Sequence, residues 1–150
     1  MTTIKLENKV LATVNKVFDL HRNIDMHQQS TSKSKESAID GTTTGLISKN
    51  HTVTWRGKHF GLFLTHQSII SEMQIPNFFV DEMLKGHFKS FKHKHTFIND
   101  HGATIVQDEI EYETPFGVFG MIFNKLVLKK YLTKFITERN TFLKNRAEQK

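Results

Sequence analysis

The central stretch of the chain reads Phe79-Val-Asp-Glu-Met-Leu-Lys-Gly-His-Phe-Lys-Ser-Phe-Lys-His-Lys-His-Thr-Phe97. This pattern predicts a β-strand, a turn at Gly86 and a second β-strand. Side chains along a strand point alternately to its two faces. On the second strand, phenylalanine and histidine therefore share one face, while lysine, serine and threonine share the other. Such a face suits either a hydrophobic core or a pocket for a mostly apolar ligand.

The antiparallel pattern continues after this hairpin. The sequence Asn99-Asp-His-Gly102 is typical of a hairpin turn. The strand predicted at 103–114 has glutamine and glutamate on one side, which must face water. Its other side carries Thr104, Val106, Asp108, Ile110 and Tyr112.

A long helix is predicted to follow Pro115-Phe-Gly117, from about Val118 to about Ala147. At 1.5 Å per residue this helix is about 45 Å long. Its first half is apolar over a wide arc between Phe119 and Leu132. Because a helix that is apolar on most sides is buried on most sides, we expect this half to lie across the concave face of a curved sheet.

The N-terminal half combines strands with two short helices. We predict one helix starting at Val14 with Thr13 as its N-cap, and a second from Asn23 to Gln29 capped by Asn23. The polar residues 30–36 are expected to form an exposed connection. The remaining predicted strands are residues 4–11, 51–58 and 60–73, the last of which ends before Pro76.

Length and composition restrict the class of protein. The chain has 150 residues and no cysteine, which fits one domain, residues 1–150, without disulfides, iron–sulfur clusters or thiolate zinc sites. We expect no cofactor. The sequence has no apolar run of the roughly 20 residues that span a bilayer. It also has no signal peptide at its N-terminus, so we expect a cytoplasmic protein.

The charge and aromatic content indicate what the protein contacts. The formal net charge of +6 attracts anions, but the lysines are scattered and no RNA-binding motif accompanies them. We therefore expect no nucleic-acid partner and no membrane insertion. Neither a phosphate-binding loop nor a dinucleotide fingerprint is present. The 13 phenylalanines against one tryptophan favour a deep core or an apolar cavity.

The order of these elements resembles the helix-grip fold of the START-like (SRPBCC) superfamily, above all small uncharacterised bacterial members of its polyketide cyclase/dehydrase-like branch. The motifs that carry the resemblance are Val17-Phe18-Asp19, then Phe79, Asp81, Lys85, Gly86 and Phe88, then His93, His95 and Phe97, then Thr104, Asp108, Tyr112, Pro115 and Gly117, and finally Arg139-Asn140. The resemblance implies an α+β fold. A curved antiparallel sheet of about seven strands, two short helices and a long C-terminal helix packed across the sheet would enclose a cavity.

One position departs from the family pattern. Asn50 stands where we expect glycine, just before the Thr-Val-Thr-Trp strand. Asparagine tolerates a left-handed backbone better than most residues, so we expect the turn to form. His59, His87 and His101 lie beside predicted turns, where we expect them to be solvated. The pattern does not decide which face of its strand His66 occupies.

The candidate polar site consists of His93, His95, Asp108 and Tyr112. Two histidines and a carboxylate are a legitimate metal-ligand set, and a His–Asp pair is a legitimate acid/base pair. A buried pair that only fixes the sheet is the structural alternative. We assign no metal and expect these residues to orient a ligand. The candidate wall residues are Trp55, Phe63, Phe91, Phe97, Ile110, Phe119, Phe123 and Leu126.

The function favoured by the sequence is binding of a small hydrophobic or amphipathic molecule, such as a lipid, sterol or polyketide. The first alternative is a cyclase or dehydratase acting on a similar ligand, with His93 or His95 as base and Tyr112 as donor. The second alternative is a protein-interaction or stress-response module without a ligand. A homodimer through the long helix is also open, although internal packing explains its apolar arc better.

Overall fold

A seven-stranded antiparallel sheet forms the body of the protein, and the computed structural model describes residues 1–149. The strands are Thr2–Val10 (β1), Ser37–Gly41 (β2), Thr52–His59 (β3), Leu62–Gln74 (β4), Phe78–Lys85 (β5), Ser90–Asp100 (β6) and Ala103–Glu113 (β7). Their spatial order is β1-β7-β6-β5-β4-β3-β2. The curved α+β architecture predicted from the sequence is confirmed.

The helices lie near their predicted positions, but the Thr13 side chain makes no capping hydrogen bond to the first helix. They are Val14–His21 (α1), Ile24–Ser30 (α2), Gly117–Phe123 (α3) and Lys129–Glu148 (α4). A π-helical turn, Asn124–Leu128, joins α3 to α4, so the three segments form one C-terminal helix. The Asn23 side chain caps α2 by accepting a hydrogen bond from the Met26 backbone N–H at 3.0 Å. No helix within residues 1–149 combines the length and hydropathy needed to cross a bilayer.

Turn residues set the register of the sheet. Asn50 has a φ of 68° and His101 a φ of 52°, both in the left-handed region expected for tight turns. The turn at 101–102 pairs His95 with Asp108 and His93 with Ile110 across β6 and β7. Since the side-chain period of a strand is two, this register brings both histidines and the aspartate to the inner face.

The main core lies where α1 crosses the inner face of the sheet. Phe18 on α1 is fully buried and makes edge-to-face contacts with Phe79 and Phe97, whose ring centroids lie 5.7 and 5.2 Å away. The second half of the C-terminal helix closes this core through buried residues such as Leu143 and Ala147. This packing anchors the far end of the helix.

The burial predicted for the first half of the C-terminal helix is wrong. Phe119, Met121, Ile122 and Leu126 are 79%, 67%, 50% and 65% exposed. Only Gly120 in α3 and Leu128 in the π turn are buried. Helical periodicity identifies an apolar face but not what covers it, and here the second half of the helix makes the close contacts.

The segment 30–36 also differs from its prediction as an exposed connection. Residues Ser32–Ser34 form a 3₁₀ turn. Thr31 and Ser34 are buried, with exposures of 4% and 7%, and the Glu36 side chain is only 12% exposed. The polar composition of this segment predicts exposure to solvent, but hydrogen bonds inside the fold satisfy its buried polar groups.

Replacing Phe18 by alanine should cost about 3–5 kcal/mol of unfolding free energy, because it removes a large side chain from the core. Phe63→Ala is the matched control. Phe63 is 49% exposed, and its ring lies under the Arg56 guanidinium at 4.1 Å, so its loss should cost less than about 1 kcal/mol. Denaturant titration of both variants measures the difference. Equal losses would place Phe63 in the core and contradict this assignment.

Candidate functional site

A cavity of about 660 Å³ lies between the inner face of the sheet and the C-terminal helix. Trp55 and Phe79 contribute to its sheet wall, while Leu132 and Ile136 contribute to its helix wall. Exposed residues such as Phe119 also line it, so the cavity reaches the surface at α3. The volume falls within the roughly 300–1,000 Å³ of small-molecule pockets.

A buried imidazole–carboxylate centre forms one polar part of this wall. His93 Nε2 lies 2.7 Å from Asp108 Oδ1 in a hydrogen bond. His95 Nδ1 lies 3.2 Å from the same oxygen without hydrogen-bond geometry. The two imidazole rings stack with centroids 3.7 Å apart. Both rings line the cavity, while Asp108 lies behind them.

The C-terminal helix completes this centre. Asn140 Nδ2 donates a hydrogen bond of 2.6 Å to Asp108 Oδ2. The adjacent Arg139 is 4% exposed and lines the cavity. Its guanidinium donates one hydrogen bond, of 3.2 Å, to the carbonyl oxygen of His21. Arg139 Nε and the Nδ1 atom of the buried His21 have no hydrogen-bond partner in the described part of the chain.

Burial controls the protonation of this centre. Desolvation, together with the charge of Arg139, lowers the pKa of His21 to about 3. Desolvation also lowers the pKa of His95, with the charge of His93 adding to the effect. Burial alone would raise the pKa of Asp108, but its hydrogen bond with His93 and the close contact with the His95 imidazole outweigh burial and hold that pKa well below its usual range. At neutral pH, His21 and His95 are therefore neutral and Asp108 is ionised.

A divalent metal was one alternative for this centre. His93, His95 and Asp108 each offer a ligand atom, and these atoms lie within 4.8 Å of one another. However, the Asp108 carboxylate already accepts hydrogen bonds on both oxygens. The positive charge of Arg139 also interacts with the Asp108 carboxylate. A second positive charge is unfavourable there, so the surroundings of this centre disfavour a divalent metal.

A second polar centre lies on the cavity wall near β2 and β3. The Glu36 carboxylate accepts hydrogen bonds from His27 Nε2 at 2.6 Å and from His59 Nε2 at 3.1 Å. His59 Nδ1 lies 2.6 Å from the hydroxyl oxygen of Tyr131 on α4. Because the Glu36 carboxylate can only accept, His59 Nε2 carries a proton, and in that tautomer Nδ1 accepts a hydrogen bond from the Tyr131 hydroxyl.

The protonation of this second centre follows from its contacts. Burial alone would raise the pKa of Glu36, but hydrogen bonds from His27 and His59 outweigh it and lower that pKa. Desolvation raises the pKa of Tyr131, and the charge of Glu36 adds to this rise. The His27 ring stacks on Trp55 with centroids 4.0 Å apart. The result is a Tyr131–His59–Glu36 chain of hydrogen bonds that begins at the cavity.

The structure brings part of the predicted site to the cavity wall. These residues are His93, His95, Trp55, Phe91, Phe119 and Phe123. Phe97 and Ile110 are buried in the core, with exposures of 3% and 0%. Phe63 packs against Arg56 and Lys58, and Leu126 is exposed to solvent.

Tyr112 is buried but does not point into the cavity. Its hydroxyl donates a hydrogen bond of 2.5 Å to Asn124 Oδ1 in the π-helical turn, and Asn124 donates in turn to the Thr2 hydroxyl. Tyr112 thus ties β7 to the C-terminal helix and to β1. Asp108 supports the two histidines from behind.

Sequence reasoning missed the Glu36 centre and the unpaired groups of His21 and Arg139. His59 was expected in solvent, but its side chain is 18% exposed and lines the cavity. The signal available for it was the alternation Val53, Trp55, Gly57, His59, which places His59 on the inner face of β3. His66 pairs with Trp55 in β3 and also faces the cavity.

The fold and this cavity together define a helix-grip domain with a pocket between sheet and helix. The sequence profile of the family described as "Polyketide cyclase / dehydrase and lipid transport" matches residues 10–136. The chain therefore belongs to this family. No curated protein matches the sequence of the chain.

Solved structures share the whole fold at low sequence identity. The protein TTHA0849 from Thermus thermophilus is 15% identical, with a TM-score of 0.80 over 97% of both chains. A START superfamily protein from Mycobacterium smegmatis is 14% identical, with a TM-score of 0.74 over 98% of this chain and 97% of that one. The Zhui aromatase/cyclase from Streptomyces sp. R1128 is 9% identical, with a TM-score of 0.79 over 98% and 93%.

Protonation of the buried His21 should make stability depend on pH. Its pKa is about 3 in the folded state and 6.5 when exposed, so the unfolded state binds more protons between these values. Stability should therefore fall as the pH falls below about 6.5, by up to about 1.4 kcal/mol per pH unit from this group. His95 contributes in the same direction.

The variant His21→Gln should flatten this slope between pH 6.5 and 5, a range above the usual titration of carboxylates. Denaturant titrations at several pH values measure it. The control is His101→Gln, because the His101 side chain is 98% exposed and should leave the slope unchanged. A slope that His21→Gln does not reduce would show that His21 is protonated in the native state.

Proposed function

We propose that this protein binds a small hydrophobic or amphipathic molecule between its sheet and C-terminal helix. The observation that carries the proposal is the cavity of about 660 Å³, whose walls combine apolar side chains with buried polar groups that have no partner among residues 1–149. Pockets of this composition bind ligands by burying an apolar body and fixing a few polar atoms.

The apolar walls account for most of the binding free energy. Trp55, Phe79, Phe91 and Ile136 present large apolar surfaces to the cavity. Burial contributes roughly 25 cal/mol per Å² of apolar area. After the entropic costs of association, a lipid, sterol or polyketide of modest size would bind with about micromolar affinity.

The polar end of the ligand would lie against Arg139, His21 and His95. Within residues 1–149, the guanidinium of Arg139 makes one hydrogen bond, and its buried Nε–H donor has no partner. Leaving buried donors unpaired is costly. An oxygen acceptor on the ligand, such as a carbonyl or hydroxyl group, would satisfy them. His21 Nδ1 offers an additional polar contact beside it.

The comparisons support this class of function. The family description names polyketide cyclases, dehydrases and lipid transport, and polyketides and lipids are largely apolar molecules. One solved neighbour is an aromatase/cyclase. The wall chemistry of this cavity agrees with such a ligand, and its size admits one.

Filling the cavity should abolish ligand binding. Leu132→Trp adds a large ring to the helix wall, while the matched control Leu126→Trp adds the same ring at a position that is 65% exposed and outside the cavity lining. Native mass spectrometry should reveal a small-molecule adduct in wild type and in Leu126→Trp but not in Leu132→Trp. If no adduct is retained, titration with dodecanoate and 2-naphthol supplies the ligand.

Either of two results would contradict the proposal. An adduct that persists in Leu132→Trp would place the ligand outside the cavity. Absence of both a retained adduct and probe binding at about 100 μM, well above the expected micromolar constant, would remove the binding function altogether.

A second candidate function, acid–base catalysis on the bound ligand, is favoured by the Tyr131–His59–Glu36 chain. The sequence suggested His93 or His95 as base and Tyr112 as donor, but the Tyr112 hydroxyl is engaged by Asn124 and lies outside the cavity lining. Tyr131 lines the cavity and has a base, His59, 2.6 Å from its hydroxyl.

The Tyr131–His59–Glu36 chain of hydrogen bonds can transfer a proton. As the Tyr131 oxygen accepts a proton from a carbon next to a ligand carbonyl, its own hydroxyl proton passes to His59 Nδ1. The ligand becomes an enolate, and the ionised Glu36 stabilises the imidazolium that forms. The reverse transfer returns the proton to a different atom of the ligand. Removal of such a proton is the first step of an aldol-type cyclisation and of the dehydration of a β-hydroxy ketone.

Exchange of α-protons in a ketone would test this second function. Wild type at saturating 2-tetralone in D₂O should accelerate deuterium incorporation, followed by proton NMR. Tyr131→Phe should lose about 10²-fold or more of the acceleration, whereas Tyr112→Phe, the control, should retain it. Chemical shifts of cavity residues report whether the ketone is bound. A bound ketone that exchanges at the uncatalysed rate would exclude the acid–base role.

A further inference from the structure

The mouth of the cavity carries an unusual exposed surface. We call it the apolar rim and define it as Phe116, Val118, Phe119, Met121, Ile122 and Leu126, which are between 50% and 83% exposed. All of them lie in or beside α3 and the π-helical turn. Isolated exposed apolar side chains are ordinary on protein surfaces, but a contiguous group of large ones marks an interaction site.

Neighbouring turns extend this surface around the mouth. The β3–β4 turn, the β5–β6 turn and the end of β7 lie at the same end of the sheet, because every second connection of an antiparallel sheet lies at the same end of its strands. Phe60 in the first turn is 49% exposed and contacts Phe123 with ring centroids 5.6 Å apart. Phe88 in the second turn lines the cavity together with Phe116 and Phe119. The rim therefore surrounds the opening itself.

Positive charge accompanies the rim along the same helix. Lys125, Lys129, Lys130 and Lys134 are all exposed. Between Thr114 and Thr137 the chain has no aspartate or glutamate, and the first acid beyond this stretch is Glu138. The charge of the whole chain is also positive, at +6. The partner of this surface must combine apolar groups with negative charge.

We propose that the apolar rim docks on the surface of a bilayer containing anionic lipids. Amphipathic helices bury their apolar side chains at the boundary between headgroups and acyl chains, while lysines remain at the level of the lipid phosphates. Each lysine near an anionic surface strengthens such binding several-fold. Apolar side chains at α3 followed by lysines one and two turns further on match these two layers.

The charge pattern distinguishes a bilayer from a second copy of the chain. In a symmetric dimer the same patch faces itself, so Lys125, Lys129 and Lys130 of both copies would surround one contact. Like charges held together in this way oppose association. An anionic bilayer instead neutralises every lysine. This contact is made at the surface only and is consistent with the lack of a spanning helix in residues 1–149.

Docking in this orientation places the cavity mouth against the acyl chains. A ligand could then pass between bilayer and cavity without crossing water. This route for the ligand rests on the function proposed above, whereas attachment of the rim to a bilayer does not. The two ideas can therefore fail separately.

Co-sedimentation with vesicles tests the docking. Wild type should bind vesicles of phosphatidylcholine with 30% phosphatidylglycerol, should bind pure phosphatidylcholine at least tenfold more weakly, and should be released by 0.5 M salt. Two double variants, Met121→Ser/Ile122→Ser and Lys129→Gln/Lys130→Gln, should each weaken vesicle binding about tenfold or more. These positions lie outside the lining of the large cavity. The control Leu11→Ser/Lys16→Gln changes exposed residues in the N-terminal part of the chain and should bind as wild type.

Three results would overturn the docking proposal. The first is no binding to either kind of vesicle. The second is binding that Met121→Ser/Ile122→Ser and Lys129→Gln/Lys130→Gln both leave unchanged. The third is a wild-type dimer in sedimentation equilibrium that Met121→Ser/Ile122→Ser converts to a monomer, which would assign the rim to a second copy. Native mass spectrometry of Met121→Ser/Ile122→Ser separates the two proposals, because loss of vesicle binding with a retained adduct leaves ligand binding intact.

Discussion

The buried carboxylate of Asp108 joins the two layers of the protein. It accepts a hydrogen bond from His93 on β6 and another from Asn140 on α4, so sheet and helix meet at one charged group. Removing a single partner would leave an uncompensated charge in a buried position, which is strongly destabilising. This constraint holds the second half of the C-terminal helix against the sheet. The first half extends from that anchor over the cavity.

The cavity and the apolar rim both follow from this asymmetric attachment. Leu143 and Ala147 pack closely in the anchored half, while α3 contacts the β3–β4 turn, where Phe123 meets Phe60. Tyr131 and Arg139 lie eight residues apart on the same helix, or about 12 Å at 1.5 Å per residue. Each belongs to one of the two polar centres, so a ligand of that length would contact both.

Local rules predicted every helix and strand except β2, but they predicted the surroundings of these elements poorly. Asn23 capped its helix, Asn50 adopted its left-handed turn and the turn at His101 set the register of His93 and His95, because each depends on neighbours in the chain. The first half of the C-terminal helix has the right periodicity but the wrong burial. Glu36, His27, His59 and Tyr131 come from separate elements, and no spacing in the chain connects them. Tyr112 was placed on the correct face, yet its hydroxyl direction depends on Asn124.

The sequence by itself determined the α+β fold, the antiparallel order and the inward face of β6 and β7, because hydrophobic period and turn chemistry act over a few residues. Only the tertiary structure decided which polar groups are left without partners, where the cavity opens and which apolar face remains uncovered. These properties depend on the distance between α4 and the sheet. That distance results from the packing of residues such as Phe18 and Leu143, which lie far apart in the chain.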